Sequence, residues 1–358
     1  MGHLKIDASP EAAVLKARFN FYGVRLFLRS DEPWVFEELR RDFEAFLEKE
    51  ASGPRPPSVS IGIWKHNLKN GHALPLGNAL SLPWWAWRWR GARFWQKGPV
   101  RYVNYQREAL GIYDFEKEEG SLESENPLRL RELGYLMIHS RVGELLDLKG
   151  LHRIHALGFS YRDRRILVLL PSGGGKSTLA KYLLKNPEVR LFSDDIPLVD
   201  SKGRISSFPQ RLGFSPQESQ GLPPDYLRLF ERSRHGPKIL VDFDFYRDRV
   251  ENPGVVTDLI LGRRTPENGE GAVGQNLTPC GNLKLVWPLF LHLVLGWGIP
   301  QVLEYFWLLD LRGCLGKAGI VVRRFRAGLN LLRRANVHRL HLSSDPAADA
   351  RRILDCLN

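Results

Sequence analysis

Residues Leu170–Leu179 read LPSGGGKSTL. The run RRILVL (164–169) precedes them, and STLAKYLLKN (177–186) follows, with Leu179, Tyr182 and Leu183 on one face of a predicted helix. Strand, glycine-rich loop, Lys-Ser and helix, in that order, form the context in which a phosphate-binding loop works. Glycines let successive backbone N–H groups converge on phosphate oxygens, and the helix start adds partial positive charge. Ser172, Gly173, Gly174, Gly175, Lys176, Ser177 and Thr178 are therefore the expected contacts to a nucleotide's phosphates. Lys176 would reach the β- and γ-phosphates, and Ser177 would offer its hydroxyl to Mg2+, a hard cation that takes oxygen ligands. The full motif begins with glycine, and this chain has Leu170 there. A turn that only caps a helix would not explain why Lys-Ser follows the three glycines.

Downstream, EVRLFSDD (188–195) predicts a strand that ends in two carboxylates, Asp194 and Asp195. One can hold Mg2+ and the other can take a proton from an attacking hydroxyl. Adjacent carboxylates repel, so one should titrate high unless a metal offsets the repulsion. Upstream, NPLRLRELGYLMIHSRVGELL (126–146) predicts a helix, and HRIHALGFSYRDRRILVLL (152–170) two strands around a turn at YRDR. IPLVDSKGRISSF (196–208) predicts a hairpin about Ser201–Gly203.

The N-terminal part reads as mixed α and β. FNFYGVRLFLRS (19–30) predicts a strand or strand pair. PWVFEELRRDFEAFLEKE (33–50) predicts an amphipathic helix that stops at the breaker run ASGPRPP (51–57). WWAWRWR (84–90) has period two, with Trp85, Trp87 and Trp89 on one side. Such interleaving can stack nucleic-acid bases; a strand that buries three indoles and leaves its arginines in water is the reading favoured here. The polar stretch EKEEGSLESENP (116–127) is the expected boundary, giving domains 1–126 and 127–358.

The formal charge of +12 and pI near 9.7 favour anionic partners. Between Arg312 and Arg352 there are ten Lys/Arg against two Asp. Three scattered cysteines form neither a zinc pattern nor a disulfide framework. With no apolar signal core near the N-terminus, a cytoplasmic location is expected. The apolar stretch 285–311 is interrupted by Pro288, Gly296, Gly298 and Pro300, and predicts two buried helical pieces, not a membrane span.

The central block resembles the bacterial HPr kinase/phosphorylase family and, through it, the phosphoenolpyruvate-carboxykinase-like kinases. Three motifs carry the resemblance: a histidine in RIHALGFS (153–160), SGGGKS (172–177) and SDD (193–195), with His155 21 residues before Lys176. It implies an α/β (α+β) chain in which a P-loop kinase domain of this type follows a smaller β-rich α+β domain. It further implies Lys176 and the loop on phosphate, Ser177 and Asp195 on Mg2+, Asp194 as general base, and His155 near the transferred group. Arg211 and Lys238 are candidates for further phosphate or substrate contacts, whereas His152 reads as an ordinary strand histidine. The family's Glu-x-Arg-Gly run is absent; FPQRLGFSP (208–216) keeps an arginine and a glycine but no glutamate. The N-terminal part looks more like divergent HPr-kinase-related proteins of bacterial peptide-modification clusters. The implied activity is Mg2+- and ATP-dependent phosphoryl transfer to a serine-type hydroxyl of a peptide or protein. The alternative is a nucleotide-binding regulator without catalysis. Nucleic acid and a peripheral membrane contact are not the expected partners, and a homo-oligomer is compatible with the resemblance.

Overall fold

The structure, a computed structural model, describes residues 14–48, 56–65, 88–89, 92–105, 108–232, 236–264, 277–296 and 311–358. The chain is mixed α/β with several sheets, and it divides into two compact units. The first holds residues up to 41 together with 46–138; the second holds 42–45 and 139–358.

The first unit is built on one sheet. Its strands are β1 (Leu15–Phe21), β2 (Val24–Ser30), β3 (Val59–Lys65), β4 (Arg88–Trp89), β5 (Ala92–Lys97), β6 (Val100–Asn104), β7 (Leu110–Asp114) and β8 (Glu119–Ser124), in the order β1-β2-β3-β8-β7-β6-β5-β4. Helix α1 (Pro33–Asp42) follows β2. Alternation sets the faces: Phe19, Phe21, Leu26, Leu28, Ile61 and Ile63 are buried, while their neighbours point outward. The stretch 19–30 is a strand pair turning at Tyr22-Gly23, both with positive φ.

Two expectations change. The helix predicted over 33–50 stops at Asp42 and is followed by a short 3-10 turn, Glu44–Phe46. Asp42 is buried and faces Arg211 and Arg228 in the second unit to which it belongs, so the chain leaves the helical path there. The polar stretch 116–127 is not a linker: β8 occupies the fourth place in the sheet, between β3 and β7. Its inward positions are Gly120, Leu122 and Ser124, so only one large apolar side chain marks it as a strand. Helix α2 (Pro127–Leu148) opens where the second domain was expected, but the units divide within that helix, after Ile138.

The second unit carries β9 (Leu151–Arg153), β10 (Leu157–Tyr161), β11 (Arg164–Leu169), α3 (Lys176–Leu183), β12 (Val189–Ser193), β13 (Leu198–Asp200), β14 (Arg204–Ser206), β15 (Leu212–Phe214), β16 (Leu227–Phe230), β17 (Lys238–Val241), β18 (Gly254–Val255), β19 (Asp258–Arg264), β20 (Thr278–Pro279), α4 (Leu283–Leu289), α5 (Leu311–Arg334), β21 (Asn336–Leu342) and α6 (Pro346–Leu357). The main sheet has the order β12-β10-β11-β19-β21-β20, with β11, β19 and β21 mutually parallel. Its strands are nearly continuous apolar runs because both faces are covered. Leu157, Phe159, Ile166 and Val168 pack with α3 and α6 residues in one core cluster, and Leu167, Leu169 and Leu259 with Leu285, Leu289 and Leu331 in the other. Two smaller sheets, β18-β14-β13-β9 and β15-β17-β16, flank it in sequence.

Of the apolar stretch 285–311, the described part is α4, which contains Pro288, and a π-helical turn over Phe290–Val294. Pro288 cannot donate to the carbonyl four residues before it, so the turn that precedes it lacks one helical hydrogen bond. No helix among the described residues is long and apolar enough to cross a membrane. Apart from the backbone of β4, the Trp84–Arg90 stretch lies outside the described residues.

A buried charge network ties α2, β9 and α5 together. Asp147 accepts from Arg324 Nε at 3.0 Å and faces His152 Nδ1 at 2.8 Å and Arg153 at 3.6 Å. Arg153 lies over Gly143, where an added Cβ would fall 1.9 Å from the guanidinium carbon. Burial works to raise the Asp147 pKa, but Arg324, His152 and Arg153 hold it down to about 2. Its contribution to stability is thus present above the ordinary value of 3.8 and is lost as pH falls towards 2. Asp147→Asn removes the carboxylate that two buried guanidinium groups share and is expected to cost roughly 3–5 kcal/mol in urea denaturation. A loss below about 1 kcal/mol, the scale of an exposed pair, would show that the network does not hold the unit together.

Candidate functional site

The strand order brings three separated motifs to one place. Strand β10 lies antiparallel between β12 and β11. The ends of β11 and β12 therefore meet the start of β10 at one edge of the sheet. The loop 170–175 leaves β11 at that edge, Asp194 and Asp195 follow β12, and His155 precedes β10. Ala156 N donates to Asp195 O at 3.0 Å, which pins the acidic turn beside the histidine.

The loop is held in the conformation its glycines permit. Gly173 and Gly175 have φ of 74° and 91°, in the left-handed region that strains other residues. Gly174 N donates to Pro171 O at 2.9 Å, and α3 begins directly at Lys176. The first turn of such a helix has amide donors with no intrahelical acceptor. Leu170, which replaces the motif's first glycine, has no positive φ; it is buried in the core, packed over Gly262 of β19.

Lys176 is buried, and its ammonium turns towards the sheet edge. It lies 2.8 Å from His155 Nε2 and 3.3 Å from Asp195 Oδ1, with the carbonyls of Leu170 and Pro171 at 3.4 and 3.5 Å. His155 Nε2 is also 3.1 Å from Asp195 Oδ1. Ser177 Oγ donates to Asp194 Oδ2 at 2.6 Å. The hydroxyl thus pairs with Asp194 and not with Asp195, the partner expected from the sequence for a shared metal.

The two aspartates titrate in opposite directions. Burial first, then the neighbouring Asp195 charge, push Asp194 up to about 6, against the Ser177 hydrogen bond and Lys176. Burial would also raise Asp195, but contacts from His155 and Lys176 hold its carboxyl well below the usual carboxylate range. The Asp195 side chain is 46% exposed, so those two contacts, and not its burial, decide the direction.

The remaining candidates are placed less directly. Thr178 donates to Glu218, whose other oxygen accepts from Ser215 Oγ at 2.8 Å. Lys238 opens β17; burial, then the Arg232 and Arg211 charges, lower its pKa, while Asp195 and Asp194 oppose the shift. Arg211 is within 3.1 Å of Asp42, which also takes Arg228 at 3.0 Å. His152 is fully buried against Asp147, in keeping with a structural part.

Two groups escaped the sequence reading. His292, on the π-helical turn, places its Nδ1 3.2 Å from His155 Nδ1 and accepts from the His155 backbone N at 3.3 Å. A lone histidine inside an apolar run was its one signal. Glu218 lies 40 residues from Thr178 in sequence and follows no motif.

Ser177, Asp194 and Asp195 are oxygen donors of the kind a hard cation takes. Among the described residues no three His, Cys, Asp or Glu side chains stand close enough to form a metal site of their own. Magnesium that arrives on phosphates needs only one or two protein carboxylates, and Ser177, Asp194 and Asp195 are donors of that kind. Compared with family models and with curated proteins, the chain matches none. The resemblance to HPr kinases therefore rests on the three short motifs that carry it.

Because Asp194 keeps its proton to about pH 6 when folded but releases it near 3.8 when unfolded, stability falls as pH rises through that window and is level above it. Asp194→Asn is expected to flatten the stability curve between these values and to raise the denaturation midpoint at neutral pH. A pH–stability curve with the same slope in both proteins would mean that Asp194 titrates as an ordinary carboxylate.

Proposed function

We propose that the chain is a Mg2+- and ATP-dependent kinase of the HPr-kinase-like P-loop type, and that its acceptor is a serine-type hydroxyl on a peptide or protein. The observation that carries the reading is the convergence of Lys176, His155, Asp195, Asp194 and Ser177 on one sheet edge, beside a left-handed glycine loop that opens a helix. When bound, Mg–ATP supplies the γ-phosphoryl group and the neutralising charge that transfer requires.

The residues divide the remaining work. The glycine loop and the first turn of α3 offer backbone donors to phosphate oxygens. Lys176, held by Asp195 and His155, keeps a fixed positive charge at the loop. Asp194 is the general base: a carboxyl with pKa near 6 is ionised at neutral pH yet binds a proton better than an ordinary aspartate. Asp195 and Ser177 are the metal-side oxygens, and the Ser177–Asp194 hydrogen bond keeps the base next to them. The choice of a peptide or protein acceptor comes from the motif resemblance.

The test uses ATP labelled at the γ-phosphate, Mg2+ and an extract of the host. Wild-type protein is expected to label a product. Asp194→Asn is expected to lower transfer by roughly 10^2–10^4-fold, the usual contribution of a general base, with nucleotide binding retained. Transfer at the wild-type rate by Asp194→Asn would remove that residue from the role. Binding through Lys176 with no labelled product from either protein would favour a regulatory nucleotide-binding protein.

A further inference from the structure

The outward face of the first unit carries an arrangement that the proposed reaction does not use. In the register of β1, β2 and β3, Arg18 stands opposite Phe27, and Phe27 opposite Ser60; Arg29 stands opposite Gly62. All these side chains leave the sheet on the side away from the buried Phe19, Leu26, Leu28 and Ile61. The Arg18 guanidinium lies 5.6 Å from the Phe27 ring centre, and Arg29 lies 5.9 Å from that ring and 6.0 Å from the Trp64 ring. Cations and rings thus alternate across three strands. The indole reaches this position because Gly62 has no side chain: a Cβ there would fall 2.6 Å from the indole nitrogen.

A cation–ring contact at this distance attracts a guanidinium without supplying an opposite charge or a hydrogen-bond acceptor. Of the three arginines on this face, Arg25 alone has a carboxylate partner among the described residues. Arg18 has no carboxylate partner among the described residues; Arg29 donates to Ser60 Oγ at 3.3 Å, while its Nε, shielded from solvent, has no hydrogen-bond partner among them. Arg25, the next outward residue on β2, forms an ion pair with Glu48 at 3.5 Å, longer than a good hydrogen bond. Arg18, Arg25 and Arg29 line one cavity of about 320 Å3, floored by Phe27 and Ser60, with Glu48 and Glu119 as its carboxylates. Three cations against two anions leave a net positive cavity.

We infer that this cavity is a binding site for a phosphate group. Three guanidinium forks around one space suit a tetrahedral dianion, which offers an oxygen to each fork and one to the Ser60 hydroxyl. A carboxylate has two oxygens in one plane and cannot meet three forks at once. The phosphate can be free, or can be carried as a monoester on a peptide or a nucleotide, whose three terminal oxygens still meet the three forks. The site lies wholly within the first unit and does not depend on the kinase reading.

Calorimetric titration at fixed ionic strength tests it, with inorganic phosphate, a phosphoserine peptide, the same peptide unphosphorylated, AMP and malonate as probes. The proteins are wild type, R18Q, R29Q and Lys176→Ala, each checked for folding by circular dichroism. Lys176→Ala removes the contribution of the glycine loop, and the phosphate binding that it retains is expected to weaken about tenfold or more in R18Q and R29Q made in that background, the loss of a charge-assisted hydrogen-bonding partner. Tighter binding of the phosphopeptide than of its unphosphorylated form assigns the source as a peptide, and tighter binding of AMP assigns a nucleotide whose base uses the ring ladder. Loss of all phosphate binding in Lys176→Ala, equal affinity for malonate and phosphate, or unchanged affinity in both R18Q and R29Q would overturn the proposal. R18Q alters an exposed strand residue, so it remains informative even if R29Q does not fold.

Discussion

A lysine whose ammonium is enclosed at a sheet edge sets the terms for everything around it. Lys176 is 6% exposed, and a buried ammonium is tolerated only with a counter-charge and acceptors in reach. Asp195 supplies the charge, two loop carbonyls supply acceptors, and His155 Nε2 stands 2.8 Å from the ammonium. These partners come from three separate chain segments, and they can meet only because β10 runs between β11 and β12 in the opposite direction. The strand order, the left-handed glycines and the acidic turn are parts of one solution to that electrostatic demand.

The same constraint separates two neighbouring carboxylates. Asp195 is drawn to the cations and gives up its proton readily; Asp194, enclosed and beside that negative charge, holds its own to about pH 6. Adjacent identical residues thus acquire different chemistry from their surroundings alone. His155 takes part from both sides, since its second ring nitrogen faces His292. The two Nδ1 atoms lie 3.2 Å apart, and Nε2 of the same His155 ring faces Asp195 and Lys176, so the ring bridges the π-helical turn and the acidic turn.

How much of this was legible depended on sequence distance. The glycine loop, the Lys-Ser pair and the acidic turn each announce themselves within a few residues, because a strand must end and a helix must begin there. The hairpin at 201–203 and the turn at 162–163 were readable for the same reason. The order of strands in the sheet was not, since periodicity reports which face a residue takes and not which neighbour it pairs with. His292 approaches His155 across 137 residues, with no pattern to signal it. Strand β8 was hidden because its pairing on both sides is made by backbone, while its side chains are mostly charged or small. Asp42 ended a helix that its periodicity would have continued, because two arginines far along the chain required its carboxylate.

The net charge of +12 becomes informative once its arginines are sorted by partner. Arg131 meets Glu38, Arg228 meets Asp42 and Asp242, and Arg324 meets Asp147; these are buried cations matched by anions that are buried or, for Glu38, partly buried. They contribute nothing to an outward field, because each is paired where it lies. Arg18 and Arg29 are held differently, by aromatic faces, which attract a cation without neutralising it. An arginine fixed in this way has already lost much of its side-chain freedom and still carries its full charge. Total basicity says only that anions are attracted; the partners of individual arginines say where on the chain that attraction is left unspent.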